Sequence, residues 1–324
     1  MRMPDKPRIL RGMHFNGLDL NLLVALDVLL TERNITLASR RLHLSQSAAS
    51  GALARLRDYF GDELLTQVGR RMVLTPLGES LAAPVRDILL RVETTVQTRP
   101  QFDPASARHH FKLLMSDYVA TVLMTRAIPR LQRAAPGVTL EMLPYSDRQW
   151  EALERGEVDF LIMPTQYLQA DHPAEPLFED SYTCIAWSGN DRVGESITLE
   201  QYLASGHVTV RFGPQRLPAY DEWFFARYGH VRQFEVITTS FNAIPQFVVG
   251  TSRIATMHRR LANFYRDFLP LKLVEPPVEM PRLTEAIVWH QYREHDPASL
   301  WLREALKQAA APFAGDDRSV NAPG

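Results

Sequence analysis

Thr36-Leu37-Ala38-Ser39-Arg40-Arg41-Leu42-His43-Leu44-Ser45-Gln46-Ser47-Ala48-Ala49-Ser50-Gly51-Ala52-Leu53-Ala54-Arg55-Leu56-Arg57 reads as two short helices around a tight turn, the helix-turn-helix pattern that sets its second helix into the major groove of DNA. Leu37, Ala38 and Leu42 repeat at helical intervals, and Ala38 is small enough for two helices to cross closely. His43 and Leu44 form the turn. Ser45 is a suitable N-cap, because its hydroxyl can accept a free amide of the following turn. Ala49, Leu53 and Leu56 fall at i, i+4 and i+7 and give one buried stripe. Gln46, Ser47, Ser50, Ala54 and Arg57 are left on other faces. Glutamine can pair with adenine through two bonds, and serine can serve any base or a phosphate. Ser45, Gln46, Ser47, Ser50 and Arg57 are therefore the candidate DNA contacts on this helix. An ordinary helical hairpin in a core is the competing reading.

The flanks extend the pattern. Leu20 to Glu32 reads as a helix with Leu22, Leu26, Leu29 and Leu30 on one side and Asp19 as its cap. After the motif, two short apolar runs flank Gly69-Arg70 within residues 62–75, which is a hairpin signal. A hairpin after a recognition helix is the wing of a winged helix-turn-helix, with Arg70 and Arg71 at its tip, in reach of phosphate or a minor groove. Thr75-Pro76 then opens a helix expected to run to about Gln97, with threonine as cap and proline at a first-turn position where its missing N–H does no harm. Leu77, Leu81, Val85, Ile88, Val92 and Val96 follow steps of four and three. On a helix of roughly 33 Å at 1.5 Å per residue, that narrow stripe predicts a coiled-coil-like dimer seam.

Bulk composition agrees. Residues 1–100 hold 14 Lys and Arg against 10 Asp and Glu, whereas the remainder holds 22 against 27. A basic head on an acidic body suits nucleic-acid contact at one end. The single cysteine, Cys184, rules out an internal disulfide framework and suits a reducing cytoplasm. It lies in a strand-like run and reads as a buried thiol rather than a nucleophile. Residues 1–12 carry no periodicity, the N-terminus has no apolar signal core, and Met13 is a candidate start. The stretch around Leu20 to Leu30 is too short to span a bilayer. Residues 312–324 read as a disordered tail.

Pro100 and Pro104 end the long helix and mark a hinge. From His110 onward strands alternate with helices: Phe111–Met115, Val138–Leu143 and Phe160–Met163, then Tyr182–Trp187, His207–Val210, Phe234–Thr239, Ile254–Met257, Leu271–Val274 and Thr284–Trp289, with a closing helix over Pro297–Ala309. This order implies parallel sheets covered by helices. Two successive α/β lobes leave a cleft at the carboxyl ends of their strands. The expected organisation is thus a flexible extension (1–13), a winged helix-turn-helix (14–75), a linker and dimerisation helix with its hinge (76–104), a two-lobed α/β body (105–311) and a tail (312–324).

With these residues in place, the chain resembles LysR-type transcriptional regulators, and within them the branch of the nodulation (NodD) and naphthalene/salicylate (NahR) regulators. The likeness rests on Gly17-Leu18-Asp19-Leu20-Asn21-Leu22-Leu23, Leu44-Ser45-Gln46, Gly69-Arg70-Arg71 to Leu74-Thr75-Pro76, Phe102-Asp103-Pro104, Gly156-Glu157-Val158-Asp159-Phe160, Ser205-Gly206-His207-Val208 and Asp296-Pro297-Ala298-Ser299-Leu300-Trp301. It covers about residues 14–309 in order. The resemblance implies a body resembling type 2 periplasmic binding proteins, and a cytoplasmic homodimer or homotetramer on double-stranded promoter DNA. It further implies an aromatic inducer (flavonoids, salicylates and related acids) in the cleft and an activator's effect on RNA polymerase. The cleft candidates that it implies are Ser116, Asp117, Tyr145, Ser146, Pro164 to Gln166, His207, Phe241 and Asn242. His207 can bond a phenol or carboxylate, and Phe241 can stack on a ring. The sequence departs from the family at Ser47, where relatives carry proline, and at Gly51, where many carry a larger residue. Both departures bear on the operator sequence.

Enzyme chemistry finds no footing. His109-His110, His258, His290 and His295 make no metal spacing of the His-Glu-x-x-His kind, and neither a G-x-S-x-G elbow nor a Walker loop occurs. No catalytic residue, metal, cofactor or membrane contact is expected. The rival class is a cytoplasmic solute-binding module, which the body alone supports equally well.

Overall fold

The computed structural model describes residues 20–69, 71–97, 102–212 and 217–311. The chain divides into two compact units between Gln97 and Thr98. The expected extension at 1–13, the tail at 312–324, Asp19 and the residues from Thr98 to Gln101 lie outside the described residues.

The first unit holds α1 (Leu20–Glu32), α2 (Ile35–Arg41), α3 (Gln46–Phe60), the antiparallel hairpin β1 (Leu65–Val68) and β2 (Arg71–Leu74), and α4 (Pro76–Gln97). Leu22, Leu26, Leu29 and Leu30 are buried as expected, together with Leu23, Ala25 and Val28, so α1 is the central helix of the unit. Asn34 caps α2 by accepting the amides of Thr36 and Leu37. Leu37 corrects the expected stripe: it is 45% exposed, while Ala38 is fully buried. His43 takes φ 55° in the turn. Ser45 then caps α3, its Oγ accepting from Ala48 at 3.2 Å. Ala49, Leu53 and Leu56 are buried.

Thr75 opens α4: its Oγ1 accepts the Gly78 amide at 3.0 Å and donates to Asp62 at 2.6 Å. The expected seam divides along its length. Leu77, Leu81 and Val85 pack into the unit's own core, because the first half of α4 lies against α1. Ile88 and Val92 remain exposed.

The second unit has two lobes. In the first lobe, β3 (His109–Leu114), β4 (Val138–Leu143), β5 (Phe160–Pro164), β6 (Ala174–Asp180) and β13 (Leu283–Trp289) are ordered β4-β3-β5-β13-β6. In the second, β7 (Tyr182–Trp187), β8 (Gly206–Phe212), β10 (Gln233–Thr238), β11 (Ile254–His258) and β12 (Leu271–Val274) are ordered β10-β8-β11-β7-β12, with β9 (Leu217–Pro218) beside β8. The sheets are mixed rather than parallel. β13 runs antiparallel to β5 and β6, and β7 antiparallel to β11 and β12. The lobes are also not successive. The chain crosses from β6 to β7 at Ser181 and returns between β12 and β13, so the strand expected over Thr284–Trp289 completes the first sheet. The closing helix α6 (Pro297–Ala310) packs on α5 (Thr125–Ala134) of that same lobe. Sequence patterning missed β6, an edge strand that carries Pro176 and the carboxylates of Glu175, Glu179 and Asp180, as edges tolerate.

Candidate functional site

On the first unit, Ser45, Gln46, Ser47 and Ser50 are all exposed at the start of α3. The hydroxyls of Ser45 and Ser47 lie 2.9 Å apart. These side chains form a small polar surface of base-reading size, and Arg55 stands exposed further along the helix, a position that sequence reasoning did not single out. Arg57 corrects the expectation. Its Nε donates to the carbonyl of Glu63 at 2.9 Å and its Nη2 to that of Leu65 at 2.7 Å, and it pairs with the Glu63 carboxylate at 3.0 Å. This guanidinium fastens the end of α3 to the wing instead of facing bases. Arg71 is exposed at the start of β2; Arg70 lies outside the described residues.

In the second unit, a cavity of about 300 Å³ lies at the junction of the lobes. Five of the expected cleft residues, Ser116, Tyr145, Ser146, Pro164 and Phe241, line it. Five do not: Asp117, Thr165, Gln166, His207 and Asn242. His207 is fully buried on β8, its Nε2 2.7 Å from the carbonyl oxygen of Tyr202, and burial pushes its pKa down to about 4. It belongs to the interior of the second lobe. Gln166 is exposed on a short turn, and its neighbour Tyr167 reaches the cavity instead. Asp117 and Asn242 are spent on each other across the lobes: the Asp117 carboxylate accepts from Ser240 Oγ at 2.6 Å and from the amides of Phe241 and Asn242 at 3.1 and 3.0 Å.

Sequence reasoning missed Tyr118, Trp150, Tyr167, Tyr182, Phe212, Tyr220, Thr256, His258 and Glu285 on the cavity wall. A usable signal exists: Phe212 and His258 end their strands, where α/β sheets collect ligands. The wall is mainly aromatic. Tyr118 stacks on His258 with ring centroids 4.0 Å apart, and Phe241 meets His258 edge-on at 4.8 Å.

Burial governs the electrostatics. It pushes Glu285 up to about 8, with the Asp180 carboxylate adding to the effect. It raises Asp180 to about 6 against the hydrogen bond from Tyr118 (2.7 Å) and the nearby Arg260. It lowers His258 to about 3. At neutral pH the deep wall therefore presents a neutral imidazole, a largely protonated Glu285 carboxyl and tyrosines held in the phenol form. Tyr145 donates to the carbonyl of Ile162. Such a surface can hold an apolar ring and satisfy a few uncharged polar groups. Among the described residues, no cluster of three or more His, Cys, Asp or Glu suits a metal ion, and no helix is long and apolar enough to cross a membrane.

Two family models match the chain. Residues 20–79 match the bacterial regulatory helix-turn-helix protein model of the lysR family, and residues 104–311 match the LysR substrate binding domain. Nodulation protein D 1 of Bradyrhizobium sp. (strain NC92) is 46% identical over 93% of this chain and 96% of its own length. Nodulation protein D 2 of Rhizobium tropici is 43% identical over 96% of this chain and 100% of its own. Among solved structures, the probable transcriptional regulator PA0477 from Pseudomonas aeruginosa superposes with a TM-score of 0.62 at 32% identity, covering 90% of this chain and 97% of that one. Full-length CbnR complexed with target DNA shares the fold, with a TM-score of 0.50 at 13% identity over 90% of this chain and 100% of its own. An exposed polar recognition helix, a lobed body around an aromatic cavity and these matches over nearly the whole length lead to one assignment: the chain belongs to the LysR family of non-enzymatic, DNA-binding transcriptional regulators, with nodulation protein D among its relatives.

Proposed function

We propose that this regulator activates transcription in response to a small aromatic effector held between the lobes of its body. The cavity carries the reading: about 300 Å³ lined by Tyr118, Tyr145, Trp150, Tyr167, Tyr182, Phe212, Tyr220 and Phe241 is sized and surfaced for one or two aromatic rings. Ser45, Gln46, Ser47 and Ser50 read base edges in the major groove, and Arg71, with Arg70, contacts phosphate beside it. Exposed Ile88 and Val92 on α4 supply a seam for a second copy, which suits a homodimer, or a pair of dimers, on an interrupted inverted repeat. The cavity sits where both crossovers meet. A ligand that favours one arrangement of the lobes shifts the population toward it, and RNA polymerase responds to the altered DNA complex in the cytoplasm.

The test uses the full chain and the promoter fragment upstream of its own gene. Affinity should fall steeply with salt as counterions are released, and aromatic compounds should raise the melting temperature and change the footprint. Absence of promoter binding at low salt refutes the DNA role. Promoter binding without any aromatic ligand in a broad screen refutes the effector class.

A further inference from the structure

Three residues of the cavity lining each carry a buried polar atom without a hydrogen-bond partner in the protein: Glu285 Oε2, Tyr182 Oη and His258 Nδ1. Their residues are 2%, 5% and 5% exposed, and all three line the same cavity. An unsatisfied buried polar group costs roughly 1–3 kcal/mol, so three around one void call for an explanation. The topology brings them together. Tyr182 opens β7 immediately after the first crossover and pairs in register with His258, the two rings lying 5.3 Å apart. Glu285 stands at the start of β13, just after the second crossover, where the ladder with β6 shifts register between Glu285 and Ala286. Such irregularities re-aim side chains beside binding sites. The neighbouring Asp180 is already satisfied, accepting from the Tyr118 hydroxyl and the Ser181 amide.

We propose that Glu285, Tyr182 and His258 form the polar pole of the effector cavity and bind an uncharged hydroxyl group of the ligand. This rests on the effector-site reading above and assigns its specificity. Tyr182 donates its phenol hydrogen and the Glu285 carboxyl its acid hydrogen, while the neutral imidazole accepts or donates through Nδ1 according to its tautomer. A hydroxyl at this pole both gives and takes a hydrogen bond, which suits donors and an acceptor set side by side. Tyr182 and Glu285 each stand in a strand just beyond a crossover between the lobes, so the same contacts couple ligand identity to lobe arrangement.

The experiment titrates the full chain with apigenin, a hydroxylated flavone, and with unsubstituted flavone, following intrinsic fluorescence at constant pH. Wild type should bind apigenin at least tenfold more tightly than flavone. Glu285→Leu and Tyr182→Phe should each shrink that preference several-fold while flavone affinity holds, and Glu285→Gln, which keeps a donor and the shape, should retain most of it. Thermal melts and promoter binding report that each variant is folded. A preference left intact in Glu285→Leu and Tyr182→Phe overturns the pole but not the site, provided Phe241→Ala still weakens both ligands. Equal affinity of wild type for both ligands also overturns the pole. Failure of wild type to bind either ligand overturns the pole and the aromatic-effector reading together.

Discussion

Asp117 and Asn242 clasp each other across the lobes: an Asp117 carboxylate oxygen accepts the backbone amide of Asn242 at 3.0 Å, and the Asn242 side-chain amide donates back to the Asp117 carbonyl at 3.1 Å. Thr121 and Tyr265 complete the knot by donating to Asn242 Oδ1 at 3.1 and 3.2 Å. Phe241, a wall residue of the cavity, is held between them. Asp117→Ala strands the Ser240 hydroxyl and two backbone amides. The expected loss is about 2–4 kcal/mol, from several bonds at roughly 1 kcal/mol each plus desolvation, and the inducer concentration for half-response should rise. Thermal melts and a promoter reporter check both. A melt unchanged from wild type would show that the clasp contributes little.

The recognition surface separates into two kinds of contact. Gln46→Ala should relax preference at particular base pairs by about 1–3 kcal/mol. Arg71→Ala should weaken all sequences alike and reduce the salt slope by about one. Arg57→Ala is different: its guanidinium is bound to the wing backbone, so it should lower the melting temperature of the head before it alters base preference. Titrations of operator and scrambled DNA across salt, beside thermal melts, distinguish the three.

Two glycines test the packing of the head. A Cβ on Gly78 would lie 2.4 Å from the carbonyl oxygen of Leu64, a backbone atom that cannot step aside, whereas a Cβ on Gly51 meets nothing within 4 Å. Gly78→Ala should destabilise the head by about 1–3 kcal/mol, as overpacking does. Gly51→Ala, inside α3 and exposed, should stabilise it by up to about 1 kcal/mol. Denaturant melts of the two variants should move in opposite directions.

How much of this could be read beforehand depends on how local the signal is. Ser45, Ala49, Leu53 and Leu56 declare the recognition helix because capping and stripe are settled within a few residues. The destination of β13 is a non-local choice: Thr284–Trp289 carries the same apolar run whichever sheet receives it. His207 lies inside its lobe for a related, non-local reason. From His207 to Val210 every residue of β8 is buried although polar His207 and Thr209 alternate with Val208 and Val210, so the alternation does not mark a face open to solvent or to the cleft. Glu285 gave no signal at all, since a glutamate among apolar strand residues usually marks a solvent face. Only the fold reveals that this one is enclosed.

Buried titratable groups set opposing slopes on the pH–stability curve. Glu285 rises from 4.5 to about 8 on folding, so its contribution is complete below pH 4.5 and is lost as pH climbs toward 8. The limiting slope is about 1.4 kcal/mol per pH unit. His207 and His258 fall from 6.5 to about 4 and about 3; their contributions are complete above pH 6.5 and are lost as pH falls below it. Glu285→Gln should therefore flatten the decline between pH 5 and 8 and leave the acid limb unchanged. Thermal midpoints across that range decide it, and an identical alkaline decline in the variant would place the responsible proton elsewhere.

The apolar stripe of α4 is divided along its length between buried and exposed positions. Val85 is 4% exposed and packs into the head's core, whereas Ile88 and Val92, one helical turn apart, are 48% and 38% exposed. Spacing of four on one face is the start of a seam, and a narrow seam of branched side chains suits a two-stranded pairing. Ile88→Asp with Val92→Asp should therefore leave the head folded and convert the assembly to a smaller species, with operator affinity falling by orders of magnitude once two half-sites no longer bind together. Val85→Asp should instead unfold the head by burying a charge. Sedimentation of each variant with a thermal melt separates these outcomes, and a doubly substituted α4 that sediments like wild type would rule out this face as the dimer contact.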